Sequence, residues 1–361
     1  MIEDVYKRLC ETMLKRGGMF PGMDIPEFYA LAKELFSPDE AVLSNAIPRG
    51  FTSSGVIAES LGRDVNWVES ILEAMSQKGL CFSIRNGDAT VFAGPPFVPG
   101  IFEYQFMRGT ATERDKKLAR LIHDYKRAVD KARKPIEGVF PAMRVITVDQ
   151  TIKAKNQIHT YDQVKSYIDK YDSLAVSTCY CRHQARLIDE ESHCGSPDEV
   201  CLQFGKGAEF VIEKRMGRQI EKDEALQILN RTEKAGLVHC TNNRQEIDFL
   251  CNCCACHCVI LKKAKAQPKP GLAINSGFQP VWHVEQCTAC ETCVERCPMD
   301  ALHMGEEDFP LLNLDQCIGC GVCATGCPVE AIEMEQRSNI PAPPIDRKAL
   351  NAAIKASMTR D

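Results

Sequence analysis

The feature that most constrains this chain is a cysteine spacing that occurs twice near the C-terminus. Cys287, Cys290, Cys293 and Cys297 precede Pro298, and Cys317, Cys320, Cys323 and Cys327 precede Pro328. Both runs read C-x-x-C-x-x-C-x-x-x-C-P, and each cysteine of the second lies thirty residues after its counterpart. This is an internal repeat. Three thiolates separated by two residues wrap a loop around one face of a 4Fe–4S cubane, and the fourth, beside proline, serves the neighbouring cluster. One ligand set is then Cys287, Cys290, Cys293 and Cys327, and the other is Cys317, Cys320, Cys323 and Cys297. The spacing favours iron–sulfur clusters over zinc or disulfides, and the chemistry it implies is one-electron transfer.

A chain of 361 residues has room for two or three domains. Its hydrophobic and charged fractions, 44% and 26%, are those of an ordinary globular protein, so the twenty cysteines stand out. In a secreted protein they would imply disulfides. The opening MIEDVYKRLC has early acids and no apolar h-region, and no apolar run approaches membrane-spanning length. The expected location is a reducing cytoplasm, without membrane insertion, where thiolates stay available to metal. So many clusters would also suit an anaerobic host. Residues 281–336 hold eleven acids and one base, Arg296, a net of −10; with −5 overall, the remainder carries about +5. An acidic face would steer a basic partner, although solubility alone would give the same composition.

Residues 1–105 read as one unit. A helix is expected over Val56–Leu61, stopped by Gly62, and a second over Asp64–Lys78, stopped by Gly79. Strands follow at Leu80–Ile84 and Thr90–Phe92, with Asn86-Gly87 as the turn signal. Two helices and a hairpin are the order of a winged helix, usually a DNA reader. The second helix carries Asp64, Glu69 and Glu73 against Lys78, with Arg63 just before it. That net negative surface argues against nucleic acid and leaves docking as the expected role. Residues 106–178 read as a helical connector, with an amphipathic helix over 111–134, breaks at Pro135 and Pro141, and an apolar run from Leu174 to Val176 leading to Cys179. Residues 179–265 form a cysteine-rich domain, 266–280 a Pro/Gly-rich linker, 281–336 the tandem unit and 337–361 a tail with a helix-prone end.

The middle block holds Cys179, Cys181, Cys194, Cys201, Cys240, Cys251, Cys253, Cys254, Cys256 and Cys258. All but Cys240 fall in two groups, on either side of a helix expected over Glu224–Gly236. Three readings compete. Thiolate-rich sites select iron–sulfur clusters. Zinc wants four tetrahedral ligands, for which C-x-C and adjacent Cys253-Cys254 are poor knuckles, and nine thiols exceed one ion's need. A redox-active Cys253–Cys254 pair is the third. The expectation is one or two further 4Fe–4S clusters, with Cys181, Cys194, Cys201 and either Cys253 or Cys254 as first choices. His183, His193 and His257 read equally as ligands or as hydrogen-bonding histidines. Arg182 would either donate to cluster sulfur or form a surface ion pair. Gly205 and Gly207 read as a turn, and Cys10, Cys81 and Cys240 as ordinary thiols. No flavin, nicotinamide or ATP motif and no catalytic constellation is read.

The segments CPMDALHM and CPVEAIEM resemble bacterial-type 2(4Fe–4S) ferredoxins. That resemblance implies a pseudo-twofold (βαβ)2 fold with two low-potential cubanes. The wider chain is similar to multi-cluster 4Fe–4S binding proteins of anaerobic bacteria and archaea, through Cys179-x-Cys181-Arg182, Cys194, Cys201, GLVH at 236–239 and the run from Cys251 to Cys258. His257 stands where that pattern would have cysteine and is not counted as a ligand. The architecture expected is α+β and multidomain: a winged-helix-like N-terminal domain, a cysteine-rich α/β middle domain and a C-terminal (βαβ)2 ferredoxin-like domain. The resemblance implies an electron-transfer subunit of a larger anaerobic oxidoreductase, not a stand-alone catalyst. Its partners would be a flavoprotein or catalytic reductase and a soluble electron carrier. An iron–sulfur redox-sensing transcriptional regulator is the alternative, and an enzyme with an unusual catalytic cluster also stays open.

Overall fold

The computed structural model describes residues 2–133, 138–152, 162–338 and 340–358, and the break expected at Pro135 lies outside them. The chain passes back and forth between two units. The first comprises residues 1–134, 180–192 and 210–218; the second comprises 135–179, 193–209 and 219–361.

In the first unit, helices Ile2–Arg16, Pro26–Leu35 and Pro38–Ala46 precede the pair Ser54–Leu61 and Val65–Gln77. Gly62 closes the first of that pair in a left-handed conformation (φ +60°), and the Asp64 side chain caps the second by accepting from the Trp67 amide. The hairpin joins Phe82–Asn86 to Ala89–Ala93, with Thr52–Ser53 as a third antiparallel strand. Asn86 pairs with Ala89, so the two-residue turn is Gly87-Asp88, one step later than expected. Gly87 takes φ +63° there, which glycine adopts without strain. A Thr112–Asp115 capping box starts the helix Glu113–Ala132, which buries Leu118, Ile122, Tyr125 and Val129. Phe97 stacks on Phe102 at 4.7 Å, and Tyr125 meets Phe28 edge-on at 6.0 Å. The Tyr125 hydroxyl donates to the Pro21 carbonyl, so the polar end of this core ring is satisfied.

The second unit is organised on an antiparallel sheet. Its order is Met143–Ile146, Val238–Asn242, Phe249–Cys253, Glu199–Phe204 and Leu174–Thr178. Strands drawn from across residues 143–253 thus share one sheet. The helix Lys222–Lys234 lays Ala225, Ile228 and Leu229 against Val176, Leu202 and Leu250. It ends where Gly236 turns at φ +73° and the Leu237 amide reaches back to the Thr232 carbonyl.

The tandem segment runs strand, helix, strand, strand, helix, strand. Phe278–Trp282 pairs with Ile332–Gln336, and Leu302–Met304 pairs with Pro310–Leu312, both antiparallel. Residues 266–280 supply the helix Pro270–Ala273, the buried Ile274 and the start of the strand at Phe278. In the tail, the helix Arg347–Met358 is tied back by the Ser357 hydroxyl, which accepts from the Phe140 amide at 2.8 Å. Among the described residues no helix is long and apolar enough to cross a membrane.

Phe28 is fully buried in the first unit, which contains none of the tandem cysteines. Phe28→Ala should therefore lower that unit's stability by about 3–5 kcal/mol in denaturant unfolding, while iron per chain in the native protein stays unchanged.

Candidate metal centres

Each tandem loop ends in a single helical turn, Thr292–Glu295 or Val322–Thr325, entered through a left-handed residue: Glu291 (φ +60°) or Gly321 (φ +79°). The turn carries the third cysteine on one side and throws the fourth outward. Two cavities result. One is lined by Cys297, Cys317, Cys320 and Cys323; the other by Cys287, Cys290, Cys293 and Cys327. Each cavity takes three thiols from one repeat and one from the other. The fourth cysteines are held alike: the Ala301 amide donates to Cys297 Sγ and the Ala331 amide to Cys327 Sγ, both at 3.2 Å. Four converging thiols with amide donors on sulfur are a donor set that suits an iron–sulfur cluster.

The two sets differ in exposure. Cys317, Cys320 and Cys323 are buried, whereas Cys290 is exposed and Cys287 half-buried. The inner loop is clamped on several sides. Thr147 and Ser276 hydroxyls donate to the Gly319 carbonyl at 2.8 and 2.6 Å, and Arg337 donates to the Cys317 carbonyl at 2.7 Å. Burial pushes the Cys320 thiol up to about 12, while a hydrogen bond with the Thr292 hydroxyl lowers Cys290. The outer rim carries exposed Val284 and Val329 among exposed Glu285, Glu291 and Glu330. Arg296, the one base of residues 281–336, is committed to structure. It donates to the carbonyls of Val322, Glu233 and Lys234 and so grips the C-terminal end of the helix Lys222–Lys234.

The middle cysteines divide by strand geometry. Successive side chains of a strand point to opposite faces, so Phe249–Cys253 puts Cys251 and Cys253 on one face. The register pairing Leu202 with Leu250 carries Cys201 beside Cys251, and Cys240 lies opposite Cys251 on the other neighbour. The Cys251 thiol contacts those of Cys201 and Cys253. Cys253 in turn contacts Cys240 and lies 3.2 Å from Cys258. Contact with Cys240 and burial push Cys253 up to about 12, against the lowering effect of hydrogen bonds with Cys251 and Cys258. Cys240, Cys253 and Cys258 share a buried core with Cys317 and Cys320, and Cys251 packs against it. Cys194 gathers instead with Cys254, Cys256 and His257.

The expected first-choice set is thus distributed over different places. Cys181 lies with Arg182 and His183 on the helix Tyr180–Ile188 of the first unit, while Cys194 and Cys201 belong to the second. His183 makes a 2.7 Å hydrogen bond with the Thr110 carbonyl, and His193 Nδ1 accepts from the Gly195 amide. Cys179 packs against the core beneath the sheet. Cys81 donates to the Leu72 carbonyl within the first unit, where Cys10 is also buried. Cys240, read from sequence as an ordinary thiol, sits inside the sheet cluster; only the strand register reveals that.

Residues 286–332 match the family of 4Fe-4S dicluster domains. The chain therefore contains a ferredoxin-type iron–sulfur domain. No curated protein matches the chain.

Gly319 sits at φ +69° with the Phe278 carbonyl and the Ser276 hydroxyl where a Cβ would go. Gly319→Ala should displace the inner loop and lower iron by about four atoms per chain, measured on anaerobically purified protein, with the outer cysteines still protected from alkylation.

Proposed function

We propose that this chain is a single-electron relay, working as a subunit or partner of a larger anaerobic oxidoreductase. The observation that carries this reading is the burial gradient across its cysteine sets. The set with the exposed Cys290, completed by Cys287, Cys293 and Cys327, would face a soluble carrier. The set with buried Cys317, Cys320 and Cys323, completed by Cys297, would lie behind it. The thiols of Cys201, Cys251, Cys253 and Cys258 would hold a third 4Fe–4S cluster; Cys253 and Cys258 are buried in the inner set's core and Cys251 packs against it. Bound at these sites, the clusters would supply one-electron storage at potentials set by burial, net charge and hydrogen bonds to sulfur.

The residues around each set support that division of labour. Val284 and Val329 offer an apolar contact at the outer rim, and Glu285, Glu291 and Glu330 give it a negative field that would speed encounter with a basic partner surface. Thr147, Ser276 and Arg337 fix the inner loop and keep water from it. The first unit, with its helix pair and hairpin in winged-helix order, would dock the second partner, a flavoprotein or catalytic reductase. The acidic face of Val65–Gln77, with Glu69 and Glu73, suits a protein partner better than a phosphate backbone.

Anaerobic protein should carry about twelve irons, and Cys253→Ser should remove about four of them without altering the paramagnetic signals of the tandem domain. A count of about eight, unchanged by that substitution, would leave the sheet without a cluster. In stopped-flow mixing with a basic redox carrier, the combined change Glu291→Lys and Glu330→Lys should slow association about tenfold at low salt. The difference should vanish at high ionic strength, where the field is screened. Equal rates at low salt would place electron exchange elsewhere.

A further inference from the structure

The run CNCCACHC at 251–258 serves two sites, because its adjacent cysteines project to opposite sides of one strand end. We infer that Cys194, Cys254, Cys256 and His257 form a mononuclear zinc site, separate from the iron–sulfur relay and independent of that reading. The four donor atoms all lie within 4.8 Å of one another, with Cys254 Sγ 3.8 Å from His257 Nδ1. A tetrahedral zinc ion with bonds of about 2.3 Å to sulfur and 2.0–2.1 Å to nitrogen spaces its ligands by about 3.3–3.8 Å. The side chains need close by only about 1 Å to reach that geometry.

Three cysteines and one histidine are an established donor set for structural zinc. Here the set comes from two loops at the same end of the paired strands Glu199–Phe204 and Phe249–Cys253. Cys254, Cys256 and His257 lie on the turn that follows Phe249–Cys253, steadied by the Cys258 amide donating to the Cys254 carbonyl at 3.2 Å. Cys194 comes from the loop before Glu199–Phe204, where Gly195 turns at φ +69°. Its thiol contacts those of Cys254 and Cys256. Zinc would staple the two loops. It would also fix the register of Cys253 and Cys258 against Cys317 and Cys320, since Cys253 adjoins Cys254 in the chain. His257, discounted as a ligand on sequence grounds, becomes the nitrogen donor of this site. Binding would release the thiol protons to solvent, and no electron transfer is involved.

The test uses full-length protein produced anaerobically with both iron and zinc supplied. Elemental analysis should find one zinc per chain. X-ray absorption at the zinc edge, on unaltered protein, should show three sulfurs at about 2.3 Å and one nitrogen at about 2.0–2.1 Å. His257→Ala and Cys256→Ser should each lose zinc, with iron per chain and the tandem-domain spectra unchanged. Loss of about four irons on these substitutions, with no zinc in the parent, would overturn the proposal in favour of a cluster. A zinc spectrum with another ligand set, or a chain without zinc whose iron ignores both substitutions, would also overturn it. Failure of the relay reading would appear instead as missing iron signals and leave the zinc edge unaffected.

Discussion

A loop that closes three thiols around one centre cannot also supply the fourth, and the C-terminal half of the chain is arranged around that constraint. At Cys293 and at Cys323 the backbone makes one helical turn, which carries Cys297 and Cys327 away from their own loops. Each therefore completes the other repeat's cavity. Neither half is a site alone, so the two repeats are bound to fold as one cooperative body. The paired strands Phe278–Trp282 with Ile332–Gln336 and Leu302–Met304 with Pro310–Leu312 hold the halves at the separation this exchange requires. The equal amide contacts to Cys297 and Cys327 reproduce the symmetry at the level of single hydrogen bonds.

The symmetry is broken by what surrounds it. One set faces solvent among acids, and the other is packed behind Thr147, Ser276 and Arg337. Burying thiols that must become thiolates is costly unless metal neutralises them, and the raised Cys320 and Cys323 are the signature of that cost. The same core continues through Cys253 and Cys258 into the sheet. Function and packing coincide here: the residues that insulate the inner set also join it to the middle of the chain.

Much of this was legible in the sequence wherever a local rule decides the outcome. The tandem spacing, the capped helix Val65–Gln77 and the helix Glu113–Ala132 follow from ligand spacing, periodicity and capping residues within a few positions. The Asn86-Gly87 signal was one residue early, because Asn86 is taken up by a ladder pair and the turn begins at the glycine. The middle block was less readable because its logic is non-local. Whether Cys253 and Cys254 serve one site or two depends on their lying at the end of a strand, and Cys240 joins the group only through register. Cys181, only two residues after Cys179, belongs to a different unit. Residues 266–280 have linker composition, yet Ile274 and Phe278 are buried, since proline and glycine also serve tight packing near a metal-binding loop.

The most direct test of the exchanged cysteines is native-state alkylation of anaerobic protein, read by mass spectrometry at Cys290, which is exposed and reports whether its set is occupied. In Cys327→Ser the exchange predicts that Cys290 becomes labelled, and in Cys297→Ser that it stays protected. The opposite pattern, with Cys290 shielded in the first variant and labelled in the second, would mean that each repeat completes its own centre and would contradict this account.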